Sequence, residues 1–176
     1  PRWTWNEIIA TASDLGYDGI ELRGVGKDIS VPSVPAFSDE NIEKTMAEME
    51  RQHLSIPCLD SDCCIHMREN QEAVQAEVKA YIHLAKKMKV PYVRVMATAP
   101  VPQPLGAVDE GYVRERAIAL GAIAHQEGIK LLIETHGVWS DSTRLARLLS
   151  TIHSDGVGVL WDVHHPYRFL GEKPET

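Results

Sequence analysis

Cysteine is scarce in this chain: three residues, Cys58, Cys63 and Cys64, among 176. The number is odd and no C-x-x-C pair occurs. A disulfide framework and a structural zinc ribbon are therefore not expected, and a reducing, cytoplasmic setting suits the chain best. Long apolar runs are also missing. No stretch approaches the roughly 20 residues that a membrane helix requires, and no charged-then-apolar leader opens the sequence, so no membrane partner is expected. Positive charge is in deficit, with 18 Lys and Arg against 25 Asp and Glu and a net charge of −7. Such a chain is poorly suited to tracking nucleic-acid phosphates or anionic lipid. There is no G-x-x-x-x-G-K-[ST] phosphate loop and no G-x-S-x-G elbow for a serine nucleophile. Gly24-Val25-Gly26 follows a predicted strand, but no third glycine and no helix come after it, which speaks against a dinucleotide fingerprint.

What is present is the composition of a globular domain, 44% hydrophobic and 24% charged, and the length predicts one domain over residues 1–176 with a full core. Helix and strand signals alternate. Thr4 and Glu7 form a capping box, Ile8, Ile9, Ala12 and Leu15 make one apolar face, and Gly16 is a stop. A second helix is predicted from Ser38 or Asp39, with Ile42, Met46 and Met49 on one side. A third covers residues 69–88 with Val74, Val78, Tyr81, Ile82 and Ala85 inward. Val113, Ala117, Leu120 and Ala124 mark a fourth, closed by Gly128. A fifth starts at Ser140 or Asp141 and turns Leu145, Leu148, Leu149 and Ile152 inward. Strands are predicted at residues 19–23, 54–59, 92–97, 129–134 and 157–161, with a loop carrying Pro100, Pro102 and Pro104 after the third. These strands are continuous apolar runs, which implies burial on both faces and hence a parallel sheet covered by helices. An open doubly wound sheet and part of a (β/α)8 barrel both satisfy that pattern. Length alone favours the open sheet, because a full barrel takes about 250 residues.

In either architecture, ligands gather at the carboxyl ends of the strands. Glu21 and Arg23 stand there on the first strand, and Asp60, Asp62 and His66 on or after the second. Arg94 lies within the third, Glu134 and His136 end the fourth, and Asp162, His164 and His165 end the fifth. Clustered carboxylate and imidazole groups are what a divalent cation requires. Polar residues also end strands simply because strands end in water. That bland account is weaker for Glu134, directly after Leu131-Leu132-Ile133, and for Asp162, after Val159-Leu160-Trp161. A carboxylate so placed is desolvated unless it is paired or liganded. Arg94 either clamps an anionic or polyol substrate or is an inward residue paired to Glu21 or Glu134. The adjacent Cys63 and Cys64 read as buried rather than as soft metal ligands.

Four segments together are similar to the xylose-isomerase-like sugar phosphate isomerase/epimerase superfamily, whose relatives include ketose 3-epimerases, inosose dehydratases and endonuclease IV. They are Gly16-Tyr17-Asp18-Gly19-Ile20-Glu21-Leu22-Arg23, Tyr92-Val93-Arg94-Val95, Leu132-Ile133-Glu134-Thr135-His136-Gly137 and Trp161-Asp162-Val163-His164-His165-Pro166. The resemblance implies a partial (β/α)8 TIM barrel with about five parallel strands and helices outside, in place of the open sheet. It implies one divalent metal (Mn, Mg, Co or Zn), with Glu134 and Asp162 as ligands and Glu134 also as a catalytic acid/base. By the same resemblance His165 is a substrate- or metal-binding residue. His136 and Arg94, and His66 by its place after a strand, are substrate-binding candidates. The implied function is a metal-dependent isomerase or epimerase acting on a small sugar, sugar phosphate or polyol by proton transfer through an enediolate-like intermediate.

Against the family's barrel, the first strand and the last two are expected to be absent, along with a His and a second Glu that complete the metal site. This chain alone is therefore expected to be inactive or incomplete. Two other functions compete: an endonuclease IV-type repair enzyme, disfavoured by the net charge, and a non-catalytic partial barrel. An incomplete barrel leaves open sheet edges, expected at residues 19–23 and 157–161, and a homo-oligomer formed through them is expected.

Overall fold

Thr4 and Glu7 cap each other at the start of helix α1 (Trp5–Asp14). The Thr4 hydroxyl accepts from the Glu7 amide at 3.3 Å, and the Glu7 carboxylate accepts from the Thr4 amide at 2.7 Å. The computed structural model describes residues 2–99, 101 and 103–175, so Pro100 and Pro102 of the proline-bearing loop lie outside the described residues. After α1 come two short 3₁₀ turns, Val31–Ser33 and Pro35–Phe37, and then α2 (Ile42–Arg51), β1 (Cys58–Cys64), α3 (Gln71–Met88) and β2 (Tyr92–Met96). The chain continues through α4 (Glu110–Gln126), β3 (Lys130–Glu134), a 3₁₀ turn (Gly137–Ser140), α5 (Ser142–Ser150), β4 (Val157–Leu160) and α6 (His164–Leu170).

The four strands form one parallel sheet in the order β1-β2-β3-β4. Each strand pairs with the next in sequence, and a helix lies between each pair. A doubly wound sheet would reverse its strand order at a switch point. This sheet does not, and the fold is a partial barrel. Val93, Val95, Leu131 and Ile133 are fully buried on the face against the helices, where Val78, Tyr81, Val113 and Leu120 meet them. The alternating positions, Arg94, Leu132 and Glu134, turn to the opposite, lumen face.

Several boundaries differ from the sequence reading. Of the five expected strands, the one at residues 19–23 is reduced to two parallel bridges, Gly19 to Ser55 and Leu22 to Leu59, which run beside β1. Gly19 allows that approach, because a Cβ there would lie 2.6 Å from Ser55 Oγ. The second strand begins at Cys58, beyond most of the expected 54–59 run, and continues through Asp60, Ser61 and Asp62. Its register against β2 shifts between Asp60, opposite Arg94, and Cys64, opposite Met96. Helix α2 begins at Ile42, later than Ser38 or Asp39, and α3 at Gln71. Leu15, read as part of the inner face of α1, is its C-cap and 68% exposed. Helix α6 was not anticipated. No described helix is long and apolar enough to cross a membrane.

Candidate functional site

The site grows from the carboxyl ends of β3 and β4. Glu134 is the last residue of β3, Asp162 lies two residues past β4, and His165 sits in the first turn of α6. Thr135, which is buried, ties these ends together. The Asp162 amide donates to Thr135 Oγ1 at 2.8 Å, and that hydroxyl donates to the Asp162 carbonyl at 3.0 Å.

Each carboxylate then has one oxygen fixed. Glu134 Oε2 accepts from Arg94 Nη1 at 2.7 Å, and Asp162 Oδ1 accepts from the His164 amide at 2.7 Å. The remaining oxygens face one atom, His165 Nε2, which lies 3.8 Å from Glu134 Oε1 and 3.5 Å from Asp162 Oδ2. Those spacings are too long for well-formed hydrogen bonds. The three residues offer ligand atoms that all lie within 4.8 Å of one another. Two carboxylate oxygens and one imidazole nitrogen with a gap between them fit a hard or borderline divalent cation. His165 Nδ1 is buried without a hydrogen-bond partner among the described residues, and the ring is held by packing against His136, His164 and Phe169.

Arg94 is 9% exposed at its side chain, and each of its three nitrogens donates at least one hydrogen bond. Besides Glu134, it donates from Nη2 to Asp62 Oδ1 at 3.0 Å and to the Ser61 carbonyl at 3.1 Å, and from Nε to the same carbonyl at 3.3 Å. Of the partners considered for it, Glu134 is the one it meets, while Glu21 is exposed. A cavity of about 360 Å³ is lined by Arg94, Glu134, His136, Asp162 and His165, with Arg23 and Asp62 on the far side. His136 crosses His165 edge to face at 4.7 Å between ring centroids. Burial, with the neighbouring His165 and Arg94 charges, lowers its pKa to about 4, so the ring is neutral near pH 7. His164 is exposed and turned away from the cavity.

Five of the six residues singled out in the sequence therefore share one cavity. His66 does not. It sits half-buried in the turn after β1, outside the lining, and burial lowers its pKa. Thr135 and Asp62 were not expected as site residues. Thr135 stood between Glu134 and His136 as a short hydroxyl that could reach back to a neighbouring strand end. Asp62 was noted only as one of the polar residues at a strand's carboxyl end, and its place in the site depends on a cross-strand arginine.

The model of the xylose isomerase-like TIM barrel family matches residues 9–176. The chain belongs to that family. Among solved structures of similar fold is a xylose isomerase-like TIM barrel protein from Mycobacterium smegmatis in complex with magnesium. It has a TM-score of 0.73 and 20% identity, over 97% of this chain and 60% of that one. A second is the probable 3-DHS dehydratase AsbF from Bacillus anthracis, with a TM-score of 0.74 and 18% identity over 92% of this chain and 58% of that one. A third is D-psicose 3-epimerase from Clostridium cellulolyticum H10 with D-tagatose, with a TM-score of 0.72 and 14% identity over 94% and 60%. The chain thus spans about three-fifths of the length of these family structures. No curated protein matches it. The fold is therefore one shared by sugar epimerases, isomerases and a dehydratase.

Proposed function

We propose that this chain carries the metal-binding half-site of an isomerase or epimerase acting on a small sugar, sugar phosphate or polyol. The observation that carries the reading is the convergence of Glu134 Oε1, Asp162 Oδ2 and His165 Nε2 within 4.8 Å, in a cavity at the strand ends. These three side chains would hold a divalent cation such as Mn, Mg, Co or Zn. When bound, the cation supplies polarisation of a substrate oxygen, which eases removal of a proton from the adjacent carbon.

The chain's own groups do the rest. Arg94 fixes the Glu134 carboxylate, and Glu134 takes the proton from the carbon next to the substrate carbonyl, leaving an enediolate-like species. Returning that proton to the former carbonyl carbon, while the proton of the adjacent hydroxyl passes to the former carbonyl oxygen, isomerises the sugar, and epimerisation needs a second acid/base group on the opposite face. Neutral His136 is suited to hydrogen-bond a substrate hydroxyl without adding charge. The three cysteines are free and buried, which accords with a cytoplasmic setting. Partners are a small-molecule substrate and a second copy of the chain, with no nucleic acid or membrane.

The test is Mn²⁺ titration followed by electron paramagnetic resonance, with turnover assayed on a panel of ketoses and polyols. Saturable Mn²⁺ binding that Glu134→Gln and Asp162→Asn abolish supports the reading. Binding that is absent, or unchanged in both variants, overturns it.

A further inference from the structure

Across the cavity wall the charged side chains stand in strand order: Arg23 beside the residue 22–59 bridge, Asp62 on β1, Arg94 on β2, Glu134 on β3 and Asp162 after β4. The two arginines differ sharply. Arg94 is buried and its donors are taken up by Glu134, Asp62 and the Ser61 carbonyl. Arg23 is 67% exposed at its side chain, and its one ion pair among the described residues is a 3.5 Å contact to Asp62 Oδ2. Asp62 is itself held from the other side by Arg94 at 3.0 Å. The guanidinium of Arg23 is thus tethered at the cavity's rim but not saturated.

We infer that Arg23 is the specificity-determining residue of this site and receives an anionic group, a phosphate or a carboxylate, at the end of the substrate remote from Glu134. This deepens the proposed function and rests on it. A guanidinium presents its N–H donors as a planar fork that matches such oxygens two at a time, whereas a neutral hydroxyl uses only one. The charge of the cavity points the same way. Its lining holds three carboxylates and two guanidinium groups. A divalent cation at Glu134, Asp162 and His165 turns that single excess negative charge into an excess positive one, which favours a substrate carrying negative charge. Since Arg23 and Glu134 lie on opposite sides of Arg94, the anionic group and the reacting carbon are separated by several bonds.

The experiment is isothermal titration of the Mn²⁺-loaded full chain with three probes: D-fructose, D-fructose 6-phosphate and D-gluconate. Wild type, Arg23→Gln and Arg23→Lys are compared, and Mn²⁺ affinity is measured separately on each. The expected result is that at least one anionic probe binds about tenfold or more tightly than D-fructose. Whichever it is distinguishes phosphate from carboxylate. Arg23→Gln removes the preference, Arg23→Lys keeps part of it, and Mn²⁺ affinity is the same in all three. Equal binding of neutral and anionic probes in wild type, or a preference that persists in Arg23→Gln, overturns the inference and leaves the metal reading standing. If Mn²⁺ fails to bind, the proposed function fails. An Arg23-dependent anion preference in the same titrations then still supports the inference, and its absence overturns it.

Discussion

Arg94 Nη1 lies 2.7 Å from Glu134 Oε2, and neither side chain is more than a tenth exposed. The pair bridges β2 and β3 inside the lumen. It leaves Glu134 a single free oxygen, Oε1, on the side of His165. Position and orientation of the candidate catalytic carboxylate therefore depend on a residue that does not itself reach the proposed cation.

Removing one partner of this buried pair strands the other charge. Arg94→Met is expected to lower stability by about 3–5 kcal/mol in urea denaturation. The double variant Arg94→Met with Glu134→Gln should recover a large part of that loss, because the uncompensated carboxylate is gone. A double variant no more stable than Arg94→Met would show that packing, not charge, dominates.

Thr135 touches no proposed ligand oxygen, yet it ties the Asp162 backbone to β3. Thr135→Val should weaken Mn²⁺ binding about tenfold while Mn²⁺ still saturates the site. Asp162→Asn, which removes a ligand, should abolish it. Circular dichroism confirms that both variants stay folded.

Asp60 faces the lumen at 9% exposure, with Oδ1 lacking a partner. Burial lifts its pKa from 3.8 to about 6, against the opposing charge of Arg94 and a hydrogen bond with Cys58, and Glu21 and Glu134 lift it further. The folded state thus holds a proton that the unfolded state releases between those values. Stability from this group is present below pH 3.8 and is lost as pH rises to about 6, at up to about 1.4 kcal/mol per pH unit. Wild type minus Asp60→Asn stability, measured across that window, should fall with rising pH. A flat difference refutes the assignment.

The outer edge of β4 has no strand beyond it among the described residues, and Val159 and Trp161 are 44% and 48% exposed. Light scattering at low micromolar concentration should give a dimer or larger, and Trp161→Glu should shift it towards monomer. A monomeric wild type counts against association through this edge.

The parts of the fold that could be read in the sequence are those where one interaction dominates. Strands β2, β3 and β4 were legible because YVRVM, KLLIE and VGVL are mostly apolar runs, buried between layers in β2 and β3, whereas β4, expected to be buried on both faces, lies half-open at the sheet's edge. Strand β1 was misplaced because its sequence, CLDSDCC, puts Asp60, Ser61 and Asp62 where an apolar run is expected. Their burial makes sense only with Arg94 on the neighbouring strand, which is a tertiary fact. Glu134 and Asp162 could be singled out because a carboxylate just past an apolar strand has few cheap explanations, whereas His165 was singled out only by the resemblance of the W-D-x-x-H-P segment. The pairing of Arg94 could not be chosen from sequence, since Glu21 and Glu134 both stood at plausible strand positions. Helix α6, HHPYRFL, is short and carries a proline, so no periodicity announced it.

The register shift in β1 also decides what kind of group faces the buried guanidinium. In an unbroken parallel ladder the Ser61 carbonyl would accept an amide from β2. Where the ladder slips, that carbonyl is released, and it takes Nε and Nη2 of Arg94 instead. A neutral peptide dipole thus stands where a further acidic side chain would otherwise be needed. Deleting Ser61 and Cys63 to straighten the strand would take this carbonyl acceptor from Nε and Nη2 while keeping Asp62, Glu134, Asp162 and His165 in the chain.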